Sequence, residues 1–468
     1  MNFFDDIDCY EDSIAIITEN SQSVSYRQLL DAADSLRAVL TERCLVFCFC
    51  ENDLESVTGY LGFLRSKAVP LLLSPRLHLQ LVDNLLDAYK PRYIWIKKND
   101  TLTNYFSSEV VHEFESYVLL RTKYSESYKL HGDLALLLTS SGTTGSPKLI
   151  RQSYQNLQSN SESIAQYLNI KNTDKPITNL PMHYTYGLSI INSHLLKGST
   201  IILTNKSLID KAFWQLIKIH EVTTLSGVPY SYEILKKIRF ESMNIPSLKV
   251  LTQAGGKLSL ELTRYFSKLC EDKAIKFVVM YGQTEATARM SYLPSELVVS
   301  KLGSIGIAIP GGEFWIEDDN NVRVTEPDTI GELIFKGKNV TMGYASNYLD
   351  LCKDDENGGI LRTGDIAKFD QDGFYYIVGR KQRFLKLFGL RINLDEVEQL
   401  LLSKGYNNAC SGDDEKMLVY VVEPANTNEI STLITELIGV NKSGFKIVPI
   451  TEIPRNESGK ILYASLPH

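Results

Sequence analysis

The chain offers little from which a membrane protein, a disulfide scaffold or a nucleic-acid binder could be built. No apolar run approaches the ~20 residues that a helical membrane span needs. The opening residues, Met1-Asn-Phe-Phe-Asp-Asp-Ile-Asp8, are acidic and lack the basic flank and apolar core of a secretory leader. There are 7 cysteines, at positions 9, 44, 48, 50, 270, 352 and 410, with no Cys-x-x-Cys pair among them. An odd, scattered set with three members in the apolar run Cys44-Leu-Val-Phe-Cys-Phe-Cys50 reads as small buried hydrophobes in a reducing compartment, so a cytoplasmic location is expected. The net charge of −7, with acids and bases interspersed, excludes the basic stripe of a nucleic-acid binder. Internal repeats and low-complexity tracts are also missing.

What is present is a globular composition. With 44% hydrophobic and 22% charged residues, the 468-residue chain is long enough for two or three domains, each with its own core. Helical spacing of apolar residues from Ser23 to Leu40 and from Ser153 to Leu168 predicts amphipathic helices. Short apolar runs at Val69, Leu134, Ile201 and Thr223 predict strands between such helices, a rhythm that implies an α/β fold with parallel sheets and crossover helices.

The stretch Leu134-Ala-Leu-Leu-Leu-Thr-Ser-Ser-Gly-Thr-Thr-Gly-Ser-Pro-Lys-Leu149 carries the first chemical signal. A buried strand breaks into Thr139, Ser140, Ser141, Gly142, Thr143, Thr144 and Gly145, and Lys148 follows. Glycines let backbone N–H groups crowd around an anion, hydroxyls add neutral donors, and lysine adds a point charge. The spacing Gly142-x-x-Gly145-x-x-Lys148 is not that of a Walker A loop. Such a loop suits a polyphosphate, although a Ser/Thr/Gly loop alone is also an ordinary solvated turn.

Phe277-Val-Val-Met-Tyr-Gly-Gln-Thr-Glu285 ends a β-rich run in Tyr281, Gly282, Gln283, Thr284 and Glu285. The ring can stack on a purine, the threonine hydroxyl can donate to a phosphate oxygen, and the carboxylate can hold Mg²⁺. In Leu361-Arg-Thr-Gly-Asp365 and Gly379-Arg380, the aspartate can accept from a ribose diol and the arginine can donate to ribose or phosphate. Asp370-Gln-Asp-Gly373 between them is a hairpin turn. Ala254, Gly255 and Gly256 stand at a probable strand end, where open α/β sheets gather ligands. His183 lies among aromatics in Leu180-Pro-Met-His-Tyr-Thr-Tyr-Gly-Leu188 and by itself reads as a partly buried structural histidine. The glycine-punctuated segments 303–312 and 331–344 read mainly as scaffold.

Taken in order, Thr-Ser-Ser-Gly-Thr-Thr-Gly-x-Pro-Lys, Tyr-Gly-x-Thr-Glu, Thr-Gly-Asp, Gly-Arg and the closing Pro-Arg-x-x-x-Gly-Lys460 resemble the adenylate-forming superfamily of acyl- and aryl-CoA synthetases, peptide-synthetase adenylation domains and luciferase. The resemblance covers about residues 20 to 465. It implies a large N-terminal α/β domain, 1–381, and a small mobile α+β domain, 382–468. It assigns Lys460 as the catalytic lysine with Thr284 and Glu285, and Glu285 as the metal ligand. ATP would be held by Thr139 to Gly145, Lys148, Ala254 to Gly256, Tyr281 to Gln283, Asp365 and Arg380. The acyl group would lie against His183, Tyr184, Gly187 and Gly255, and Lys386 and Gly389 would face the site in the transfer step. Where the family has an Asp or Lys hinge, this chain has Gln382.

The implied reaction joins ATP to a carboxylic acid, with Mg²⁺, to give acyl-AMP and pyrophosphate. A thiol of CoA or of a phosphopantetheinyl carrier protein then takes the acyl group. Relatives that activate amino acids carry an aspartate where this chain has Tyr184-Thr185, and a buried ammonium without a counter-charge is costly, so an acid without a charged α-amino group is expected. No Gly-Gly-x-Ser carrier motif occurs, so a stand-alone ligase is expected. Two alternatives stay open: an amino-acid-activating enzyme, and a nucleotide-binding protein without catalysis, against which Lys148, Glu285, Asp365 and Lys460 all argue.

Overall fold

The structure, a computed structural model, describes residues 2–106, 109–124, 127–139, 148–387, 390–413, 415–422, 427–438, 441–456 and 459–467. It is an α/β chain with a large N-terminal part and a smaller C-terminal α+β part. An eight-stranded sheet runs in the order Tyr344–Ala345, Leu149–Ser153, Leu134–Thr139, Val69–Leu73, Leu45–Phe49, Tyr93–Lys97, Tyr117–Arg121, Glu109–Phe114. Its four middle strands are parallel and its flanks antiparallel. The middle strands are unbroken apolar runs because both faces are covered, which is why alternation is missing from their sequence.

The second sheet, of five strands, places Thr224–Gly227, Val250–Gln253 and Lys276–Tyr281 in parallel, followed by antiparallel Ser291–Leu293 and Ile307–Ala308. Helix Thr185–Leu195 is buried along every residue, including the polar Ser189, Asn192, Ser193 and His194. Helix Tyr154–Tyr167 begins with a reciprocal cap: the Ser153 hydroxyl accepts from the Asn156 N–H at 3.1 Å, and the Asn156 amide oxygen accepts from the Ser153 N–H at 2.8 Å. Such a cap contributes about 1 kcal/mol to helix stability. A third, antiparallel sheet includes Gly331–Gly337, Ile360–Phe369 and Tyr375–Arg380.

Beyond it, the hairpin Phe384–Leu387 with Leu390–Asn393 leads to helix Leu394–Ser403. A three-stranded sheet then forms from Asn408–Gly412, Met417–Val422 and Phe445–Ile450. The apolar clusters built on Leu385, Val397, Val419 and Ile434, and on Ala409, Tyr420 and Leu466, contain no described residue from earlier in the chain.

Candidate active site

Several parallel strands end where the sequence motifs begin. Strand Lys276–Tyr281 passes through Gly282 and Gln283 into the short 3₁₀ turn Thr284–Ala286. Gly282 is required there, since a Cβ would stand 1.8 Å from the Ala288 carbonyl oxygen. Asp365 and Arg380 face each other across adjacent antiparallel strands. The Asp365 carboxylate is 2% exposed and accepts from three donors. Arg380 Nε donates to Oδ1 at 3.1 Å, while the Tyr281 hydroxyl and Gln283 Nε2, the latter at 2.9 Å, donate to Oδ2. Burial, reinforced by that carboxylate, pushes the Tyr281 phenol well above its ordinary range.

Lys148 and Glu285 meet through a residue that sequence reasoning assigned to scaffold. The Lys148 ammonium lies 3.8 Å from the centre of the Tyr344 ring, and the Tyr344 hydroxyl donates to Glu285 Oε1 at 2.9 Å. Burial and the Glu285 carboxylate raise the Tyr344 phenol. Thr139 ends its strand exposed, and Thr284 is buried. The loop residues Ser140, Ser141, Gly142, Thr143, Thr144 and Gly145 lie outside the described residues.

Lys460 reaches this region from the far end of the chain. Its backbone N–H donates to the Asn456 amide oxygen at 2.9 Å, and its ammonium stands 5.9 Å from the centre of the Tyr184 ring. The turn lies close against the large part, since a Cβ on Gly459 (φ +76°) would be 3.1 Å from the Tyr230 side chain. Burial, helped by the neighbouring Arg380 cation, lowers the Lys460 amine below its ordinary value, and the Glu285 and Asp365 carboxylates act in the opposite direction.

Tyr184, directly before helix Thr185–Leu195, also borders Gly255, where φ is +82° and a Cβ would stand 2.5 Å from the Tyr184 hydroxyl. Ala254 is buried at a strand end, and Gly256 is exposed beside Pro229. His183 is half-buried, and Gly187 packs so closely that a Cβ would be 2.2 Å from the Pro181 carbonyl. The Lys386 backbone belongs to strand Phe384–Leu387, whereas its side chain and Gly389 lie outside the described residues. Gln382 forms part of a 3₁₀ turn, Lys381–Arg383, and its side chain is likewise outside them. The structure therefore connects Lys148, Glu285, Asp365, Arg380, Lys460, Tyr184 and Gly255 through direct contacts and close charges. Tyr344 was missed: its segment was assigned mainly to scaffold, and its partners Glu285 and Lys148 lie far away in sequence.

The motifs and their spatial convergence agree with comparison to known families. The model of the family described as AMP-binding enzyme matches residues 3–345. The chain belongs to this family. Among relatives of this AMP-binding enzyme, the 2-succinylbenzoate–CoA ligase of Bacillus licheniformis is 29% identical over 340 residues, 70% of this chain and 69% of the relative. The 2-succinylbenzoate–CoA ligase of Bacillus velezensis is 26% identical over 475 residues, covering 96% and 93%. In fold, O-succinylbenzoate coenzyme A synthetase from Bacillus subtilis, in complex with AMP, aligns with a TM-score of 0.80 at 24% identity over 100% of this chain and 98% of that one. The expected class, an AMP-forming ligase, accords with these relatives. No described helix is long and apolar enough to cross a membrane.

Proposed function

We propose that this AMP-binding enzyme adenylates a carboxylic acid that has no charged α-amino group and then passes the acyl group to the thiol of CoA. The observation that carries the reading is the approach of Lys460 to Tyr184, within electrostatic range of both Glu285 and Asp365. A lysine from the closing turn has no structural need to enter a cleft where burial penalises its charge.

In the first step a carboxylate oxygen of the acid bonds to the α-phosphorus of ATP, and the bond from that phosphorus to pyrophosphate breaks. Two anions meet, and Lys460 supplies the cation between them. Asp365 and Arg380 would bind the ribose, with the Tyr281 ring beside the base, and Lys148 would bind phosphate. Among the described residues no cluster of three metal-ligating side chains exists. Glu285, with one oxygen held by Tyr344, fits Mg²⁺, which takes one or two carboxylates together with phosphates and water. That ion neutralises phosphate charge when bound. In the second step the thiol sulfur bonds to the acyl carbon, AMP leaves, and the thiol proton passes to solvent.

The separate apolar clusters after Leu385 support a boundary between residues 381 and 382, with the smaller part turning between the two steps. The CoA-ligase names of the relatives support CoA rather than a carrier protein as acceptor. The absence of a carboxylate at Tyr184-Thr185 supports an acid other than an α-amino acid. Burial pushes the Cys44 and Cys270 thiols up to about 12, which suits structural thiols of the cytoplasm. ATP–pyrophosphate exchange over aryl, short-chain, long-chain and amino acids tests the first step. Addition of CoA or a holo carrier protein then identifies the acceptor. Exchange supported by amino acids alone overturns the reading.

A further inference from the structure

Arg289 lies eight positions beyond Tyr281 and is 2% exposed. The backbone is bent to put it there. Thr287 (φ 52°) and Ala288 (φ 100°) both occupy the left-handed region, which non-glycine residues enter at a cost, and the missing Cβ of Gly282 admits the Ala288–Arg289 backbone. Strained backbone of this kind persists where something depends on it.

The guanidinium lies against an apolar cluster that includes Tyr186, Met280 and Ala254, packed together with Tyr167 and Tyr184. It stands 4.9 Å from the centre of the Tyr186 ring. One terminal nitrogen donates to the Tyr167 hydroxyl at 3.1 Å and to the Met280 sulfur at 3.2 Å. Its Nε is buried with no hydrogen-bond partner, and no described carboxylate pairs with it. A guanidinium presents five N–H donors and always carries its charge. A ring face, a phenol and a thioether do not replace the hydration of that charge, and buried arginines ordinarily find an anion. Arg151 shows the contrast in the same chain: it is fully buried, pairs with Glu356 at 2.7 Å and donates to several carbonyls.

A row of ring contacts leads from Arg289 to the reacting end. Lys460 stands over Tyr184, the Tyr184 and Tyr186 rings meet edge to face at 6.3 Å, and Arg289 lies against Tyr186. A cation therefore marks each end of a row of aromatic rings.

We propose that Arg289 is a specificity-determining residue that pairs with a second carboxylate on the acid, remote from the one that is adenylated, so that the substrate is a dicarboxylic acid. This rests on the adenylating function proposed above and adds the class of acid to it. Arginine suits the task because its fork matches a carboxylate in two-point geometry.

The test is ATP–pyrophosphate exchange by the full chain with adipate, terephthalate and 2-succinylbenzoate, each beside the monoamide that neutralises its remote carboxylate. Wild type should prefer at least one diacid over its monoamide by about a hundredfold in kcat/KM, because the amide can still accept a hydrogen bond but leaves the buried guanidinium without a counter-charge. Arg289→Met should raise the KM for that diacid, leave the KM for ATP unchanged and bring the diacid-to-monoamide ratio near one. Arg289→Lys should restore part of the ratio. A merely structural arginine would lower both members of a pair together. An unchanged ratio in the methionine variant overturns the proposal, as does a wild-type preference for monoamides, a measurement that needs no variant to fold. Exchange with neutral-tailed acids alone sinks this inference and leaves the adenylating function standing. No exchange with any acid sinks both.

Discussion

Tyr344→Phe isolates one hydroxyl with a defined task. In the folded chain that hydroxyl donates to Glu285 Oε1 at 2.9 Å, while the ring below Lys148, 3.8 Å from its ammonium, would remain. A hydrogen bond to a charged group contributes about 1.5–3 kcal/mol. Tyr344 is 37% exposed, so solvent competes and the lower end applies. At ~1.4 kcal/mol per tenfold, the phenylalanine variant should lose about tenfold in kcat/KM for ATP–pyrophosphate exchange. Its requirement for Mg²⁺ should rise in parallel. Tyr344→Leu also removes the ring face, worth ~0.5–1 kcal/mol at an exposed site, and should lose a further few-fold. If the hydroxyl acts by orienting Glu285, then Tyr344→Phe should cost almost nothing in a Glu285→Gln background, because the two changes remove the same interaction. Full additivity of the two substitutions, or a phenylalanine variant within twofold of wild type, refutes the reasoning.

Lys460→Ala should leave the fold intact and lower adenylate formation by about a thousandfold, since a unit charge at ~4 Å in an effective dielectric near 20 contributes roughly 4 kcal/mol. Burial and Arg380 lower the Lys460 amine below 10.5, so exchange activity should fall on the alkaline side at a pH below that value. Lys460→Arg, always charged, should move that limb upward even if the rate is reduced; a limb that stays in place removes Lys460 as its origin. Between the depressed folded value and 10.5 the unfolded chain binds the proton more tightly, so stability contributed by this group should rise with pH while activity falls, and parallel melting and rate profiles check the sign. Gly255→Ala places a Cβ 2.5 Å from the Tyr184 hydroxyl at φ +82°, and should raise the KM for the acid at least tenfold in ATP–pyrophosphate exchange. Asp365→Asn takes the charge from beneath Arg380 and two further donors, and should weaken ATP binding measured by calorimetry by about tenfold to a hundredfold.

Much of this site was legible because its parts are local. Tyr281 to Glu285 sit within one strand end and the turn after it, and Asp365 precedes Arg380 by one hairpin whose turn signal, Asp370 to Gly373, is plain in the sequence. The buried middle strands were legible from their unbroken apolar runs, and helix Tyr154–Tyr167 from its spacing. Tyr344 was not. It ends a glycine-punctuated segment that resembles any edge strand, and its partner Glu285 lies 59 positions away, so only the sheet order brings them together. Arg289 was hidden for another reason. An arginine after a turn reads as a solvated charge, and its inward direction depends on left-handed backbone at Thr287 and Ala288 that neither residue type announces.

The nearly filled carboxylate of Asp365 would bear on how nucleotide comes and goes in the proposed function. A carboxylate offers about four acceptor sites, and three are already taken by Tyr281, Gln283 and Arg380. On the function proposed above, a ribose diol would enter by exchange, displacing an internal donor for at least one of its own hydroxyls. Each internal donor given up offsets part of what the ribose contact would contribute. AMP formed at the end of a cycle can leave by the same exchange in reverse, and the chain needs no bound nucleotide to keep that buried charge satisfied.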